Sequence, residues 1–194
     1  MSLQVNKESG SVYDPVFLKI LEDIPGGVTV KTDRFPSTTK EVKKGALLND
    51  GGSGLYNVIK TVRTTAAGAT NTTILAIEPT DHLFVVGDFI FLQGGTGGTI
   101  TRVSTTAIEV EVAHNAIASG AVLHQVSGVD TATALYDADA VLRDTVEVRK
   151  DGVATLLDNI FAGAVVRGTV DESEMPYFVT AADKVALTAR IRFA

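Results

Sequence analysis

Apolar and polar residues alternate most plainly in AIEVEVA, residues 107–113, where Ile108, Val110 and Val112 share one side of an extended chain and Glu109 and Glu111 the other. Around it lie TNTTILAIEPTDHLFVVGDFIFLQ, with a break predicted at Gly87-Asp88, then TITRV and AVLHQV. So many short strands over so few residues predict a small barrel or sandwich and leave no room for crossover helices.

The flanks are less regular. Up to about residue 64, Pro15, Pro25, Pro36, Gly26-Gly27 and the run GGSG punctuate the chain, which predicts a partly irregular N-terminal arm. Within it DPVFLKILEDIPGG reads either as a short helix from Asp14, with Val16, Ile20 and Ile24 on one face, or as an extended arm. An arm of this kind gains order by burying apolar residues such as Val16, Phe17, Ile20 and Leu21 against a partner, so these four are the candidate partner-binding residues. After residue 127, VEVRKDGVATLL predicts a hairpin about Lys150-Asp151-Gly152, AGAVVRGTV a further strand, TAADKVAL a helical turn capped by Thr180, and ARIRFA a closing strand with Ile191 and Phe193 on one face. The expected organisation is an assembly arm at 1–64, a compact acidic β module at 65–127 and a C-terminal β unit with a short helix at 128–194. The fold class is mainly β with little helix.

Composition sharpens this. Val, Thr, Ala and Gly dominate, and β-branched side chains suit a pleated surface. The chain has no cysteine, which removes disulfides and thiolate chemistry. A formal charge of -6 argues against general nucleic-acid affinity. Residues 1–64 hold nine Lys or Arg against seven Asp or Glu; residues 65–194 hold eight against sixteen, and Arg102 is the one cation between Thr65 and Leu142. The middle block therefore presents a negative face. No apolar run approaches the roughly 20 residues that cross a bilayer, and MSLQVNKESG lacks the apolar core of a secretory signal, so synthesis in the cytosol without membrane association is expected.

The candidate chemistry is thin. GGTGGT at 94–99 lacks the ending of a P-loop and leads into a predicted strand, so it reads as a hairpin loop and not as a phosphate cradle. His82, His114 and His124 lack zinc-site spacing, although His114 and His124 flank one turn region and are placed to face each other across a hairpin. No serine sits in a G-x-S-x-G elbow, and DESE at 171–174 lacks the spaced ligands of a calcium loop. Lys40, Lys43 and Lys44 stand beside Glu41 without an adjacent aromatic, a solvated segment or a contact for an acidic partner. The expectation is no catalytic residues, no cofactor, no metal and no small-molecule substrate.

The run VVGDFIFL, the Gly/Thr loop, TITRV, the alternating strand and ASGAVLHQV resemble small β modules in structural proteins of tailed bacteriophages. The stretch VVRGTVDESEMPYFVTAADKVAL with its terminal strand resembles the closing segment of phage head-associated proteins that decorate or reinforce a capsid. The resemblance implies a virion structural protein, foremost a capsid decoration or auxiliary head protein, assembled in the host cytoplasm. Its implied partners are the major capsid protein or other virion proteins and further copies of itself. Tail, baseplate and head-fibre proteins use similar modules. A carbohydrate- or cell-surface-binding β domain is a different class, disfavoured by 6% aromatics and no Trp.

Overall fold

A computed structural model describes residues 16–52, 54–68, 72–78, 82–92, 96–129, 131–149 and 156–194. The fold is mainly β. In chain order the strands are β1 (Phe17–Asp23), β2 (Val28–Lys31), β3 (Glu41–Val42), β4 (Leu47–Asp50), β5 (Leu55–Val58) and β6 (Thr61–Arg63). Then come β7 (Thr72–Ala76), β8 (Phe89–Leu92), β9 (Thr96–Val103), β10 (Ala107–His114) and β11 (Val122–His124). The last third supplies β12 (Ala140–Leu142), β13 (Val146–Glu147), β14 (Asn159–Ala162), β15 (Ala164–Val170), helix α1 (Ala181–Leu187) and β16 (Ile191–Phe193).

The main sheet runs β1-β15-β12-β4-β5-β2-β14, with β16 parallel to β15. Its two ends belong to one bent antiparallel ribbon. Phe17 pairs with Val170, Asp23 with Val165, Val28 with Ala162 and Lys31 with Asn159, and the Ile24 N–H bridges the kink by donating to the Ala164 carbonyl at 2.8 Å. Because β2 continues into β1 through this ribbon and β1 pairs with β15, the sheet curls back on itself. The kink is Ile24-Pro25-Gly26-Gly27, with Gly26 and Gly27 at φ 80° and 73°. A Cβ on Gly27 would lie 2.6 Å from both the Ala162 carbonyl and the Phe161 ring, so glycine is required there on two counts.

Both faces of the curled sheet are buried along β4, β12 and the start of β15. Leu48, Ala140, Leu142 and Ala164 point inward with Val30, Val58 and Ile160, while Leu47, Val141 and Val165 point outward beneath Met175, Val179, Leu187 and Ile191. Strands covered on both sides read as unbroken apolar runs such as AVL at 140–142. The outer cover is held by α1. The Thr180 side chain accepts from the Asp183 N–H while the Asp183 carboxylate accepts from the Thr180 N–H, a capping box that stabilises a short helix by about 1 kcal/mol.

The middle of the chain forms a second system: the sheet β7-β10-β9-β8 and the ribbon β11-β6, around Val62, Leu75, Phe84, Ile90, Leu92, Ile100, Ile108 and Leu123. Ile108 and Val110 face this core as the alternation predicts. Val112 does not: β10 pairs Glu109 with Ile74 and then His114 with Thr72, so the strand bulges between and turns Val112 to solvent.

Two expectations about the N-terminal segment change. From Phe17 to Asp23 the chain is a strand, not a helix, because pairing with β15 is the dominant local interaction; Asp14 and Pro15 lie outside the described residues. Nor are the described residues up to 64 an irregular arm. Their prolines and glycines separate short strands, and β2, β4 and β5 sit within the same sheet as β12 and β15. The tip of the hairpin expected about Lys150-Asp151-Gly152 lies outside the described residues, and its flanks meet in an antiparallel bridge of Arg149 with Leu156; β13 also pairs with β3.

Candidate functional site

β1 is an edge strand, paired among the described residues with β15 alone. Register shifts after Phe17 and after Ile20 break its alternation, so Leu18, Ile20 and Leu21 are 53%, 44% and 58% exposed. Gly168 opposes Ile20, and any Cβ there would come 2.4 Å from the Lys19 carbonyl, so the irregular strand is fitted to a glycine. Of the four candidate partner-binding residues, Ile20 and Leu21 are outward. Val16 is buried with Leu47 and Met175 in the chain's own core, and Phe17 is half-buried against the same cluster. Leu18 joins the outward set, a residue that helical spacing passes over. At the strand's end Arg143 bridges Asp23 at 2.5 Å and Asp144 at 2.9 Å. At the other end of the sheet order β14 carries Phe161, which is mostly exposed above Gly27.

The junction between the two sheet systems is polar and sealed. Lys60 donates to Asp88 at 2.6 Å and to the Arg34 carbonyl at 2.7 Å; Gln125 Nε2 donates to the other Asp88 oxygen at 3.0 Å, and the Val85 N–H to the first at 3.0 Å. The Lys60 and Asp88 side chains are 3% and 1% exposed. Asp88 reaches this position because Gly87, at φ 89°, turns the chain immediately before β8. Burial pushes the Lys60 ammonium below the ordinary lysine value, and Asp88 pulls it back. A depressed lysine is the chemistry of a Schiff-base nucleophile, but that needs access for a carbonyl substrate. The adjoining cavity, lined by Lys31, Arg34, Asn57, Lys60, Gln125 and Tyr136, is about 20 Å³, room for one water at most. The knot therefore joins the two systems.

A larger cleft of about 670 Å³ runs between residues 36–41 and the middle module. Ser37, Thr38 and Thr39 give it hydroxyls, and Lys40, Glu41 and His82 its charge-bearing groups. His82 Nε2 lies 3.0 Å from the Ser104 carbonyl, which makes that nitrogen the donor. The cleft has the size of a ligand site.

The remaining candidates are dispersed. His114 bonds the Asn115 carbonyl at 2.7 Å and Thr72 at 3.2 Å, while His124 stacks on Phe91 with centroids 5.1 Å apart; the two histidines do not face each other across a hairpin, because they belong to β10 and β11, which pair with different neighbours. Among the described residues no three His, Cys, Asp or Glu are grouped to hold a metal. In the DESE segment Asp171 caps a 3-10 turn by accepting from Ser173, and Glu172 pairs with Lys184 at 2.5 Å. Of the glycine run, Gly94 and Gly95 lie outside the described residues, whereas Gly97 and Gly98 are inside strand β9, paired with Phe91 and Ile90. A Cβ on Gly97 would meet the Gly128 carbonyl at 2.3 Å, so close backbone packing, and not an anion, explains that glycine. No helix among the described residues is long and apolar enough to cross a membrane.

Burial holds the His124 pKa below the ordinary histidine value, against the opposing pull of Asp183 and the Ala132 backbone. The unfolded chain therefore takes up the proton first as pH falls. The stability this neutral ring contributes is present above the ordinary histidine pKa and is lost as pH falls towards the folded value. Urea midpoints should drop between about pH 7.5 and about pH 5.5, and drop less in His124→Phe. Equal drops in both proteins would show that the ring is not responsible.

The chain matches no protein-family model, no curated protein and no solved structure.

Proposed function

We propose that this chain is a structural protein of a tailed-bacteriophage virion, most simply a decoration or auxiliary head protein that works by protein-protein contact and without turnover. The observation that carries the reading is the edge strand β1, with Leu18, Ile20 and Leu21 turned outward on a strand that keeps one side unpaired among the described residues. Edge strands are ordinarily blunted because they invite pairing, and one that presents three apolar side chains suits an assembly contact. The resemblance of VVGDFIFL and of the closing segment to phage head modules supplies the kind of particle. Its partners would be the major capsid protein or other virion proteins, and its location the virion. A protein that binds only the assembled shell stabilises it by mass action, about 2.7 kcal/mol per site at a hundredfold excess over the dissociation constant.

The test is attachment. Added to phage heads that lack it, the chain should co-sediment with them at a fixed copy number, and Leu21→Glu should lose attachment while keeping its far-ultraviolet circular dichroism. Failure of the unaltered chain to bind heads, or attachment confined to tails, would reject the head assignment.

A further inference from the structure

We propose that β1 also binds β1 of a second copy of this chain, giving a two-fold dimer; the inference rests on the reading of β1 as an assembly contact. The strand FLKILED carries opposite charge in its two halves: Lys19 in the first, Glu22 and Asp23 at the end. Laid antiparallel against itself, it brings the Lys19 end of each copy beside the acidic end of the other, twice per dimer. Ile20 and Leu21 then meet their counterparts between the charged pairs, with the exposed Leu18 at the rim. Such an interface is isologous and closes at two copies, so it does not propagate into a fibre. Asp23 is already bridged by Arg143, which leaves the exposed Glu22, opposite Arg167 of β15, as the partner for Lys19. The register shifts along β1 shorten any regular ladder it can extend to a neighbour. Side-chain burial and charge therefore carry the contact, and a like charge directly opposite is correspondingly harmful. Lys19 and Glu22 are complementary to the same strand turned about a two-fold axis, which is what a second copy supplies.

The experiment is sedimentation equilibrium of the full chain with paired charge reversals. The unaltered protein should be dimeric at about 100 µM, Lys19→Glu should weaken the dimer about tenfold or more, and the double variant Lys19→Glu/Glu22→Lys should restore it to within about threefold. Ile20→Lys should abolish it with unchanged circular dichroism. A chain that stays monomeric at that concentration overturns the proposal, as does a double variant no better than Lys19→Glu alone. A monomer that still attaches to heads through Leu21 overturns the dimer and leaves the functional reading standing. A dimer with this charge dependence that ignores heads supports the dimer and removes the functional reading.

Discussion

Lys60→Met should destabilise the protein by about 3–5 kcal/mol, a large part of the roughly 5–15 kcal/mol that holds such a domain folded. The methionine keeps the volume and removes the ammonium, so Asp88 is left buried as an anion with Gln125 and the Val85 N–H as its remaining donors. The Arg34 guanidinium does not replace the loss: it lies 3.9 Å away with 64% of its side chain in solvent. The carbonyl of Arg34 loses its donor as well. Adding Asp88→Asn to Lys60→Met should recover stability, because the neutral amide no longer needs a cation and its oxygen still accepts from Val85. Chemical denaturation of the three variants measures both quantities. A cost below about 1 kcal/mol for Lys60→Met, or a double variant worse than the single, would mean that water reaches the pair and that it contributes as a surface bridge does.

Phe84→Ala should cost about 3–5 kcal/mol, the range for emptying an aromatic from a closed core. Phe84 is fully buried and heads the buried side chains in size, although its own backbone belongs to no strand. Its ring fills the middle module together with Ile90, Leu92, Ile100 and Ile108, and tilts against the His82 ring at 6.2 Å. That core shares no member with the clusters inside and outside the curled sheet. Amide exchange should therefore quicken first in β8, β9 and β10, ahead of β12 and β15. Uniform quickening across all five strands would show that the module does not open independently, and a cost under about 1 kcal/mol would show that the site collapses around the smaller residue.

What could be read from the residues was local. Alternation at Ile108 and Val110 reports a strand because neighbouring side chains decide which face is wet, and the Thr180 cap needs only Asp183, three residues on. The N-terminal segment was illegible for the opposite reason. Val30 is positioned by Ile160, and Leu48 by Ala140, so no window of sequence contains the partner that makes either a central strand. Prolines and glycines there predict irregularity, whereas Pro25, Gly26 and Gly27 bend a paired ribbon and the others separate short strands. Val112 failed because a bulge leaves no mark in the alternation. The edge strand is half legible: its apolar residues mark a contact surface, but which of them face outward depends on a register shift opposite Gly168. The Lys60 knot left one visible trace, a lysine set among β-branched residues in VIKTV, while Asp88 and Gln125 lie far along the chain.

The bent ribbon also governs the order in which this protein can be made. Strands β2, β4 and β5 leave the ribosome early, yet the strands that flank and close them, β12, β14 and β15, are among the last to be translated. Between those moments Val28, Val30, Leu47 and Leu48 lack the cover that Ala140, Val141, Leu142 and Ile160 supply, while the middle module has its strands together and can fold around Phe84 as soon as β11 emerges. Closing contacts so distant in sequence carries a large loop-closure entropy and slows the final step. The nascent chain thus passes through a stage with one finished module and one sticky, open half. During that interval it is exposed to aggregation, and holding chaperones would protect it until its last residues are free.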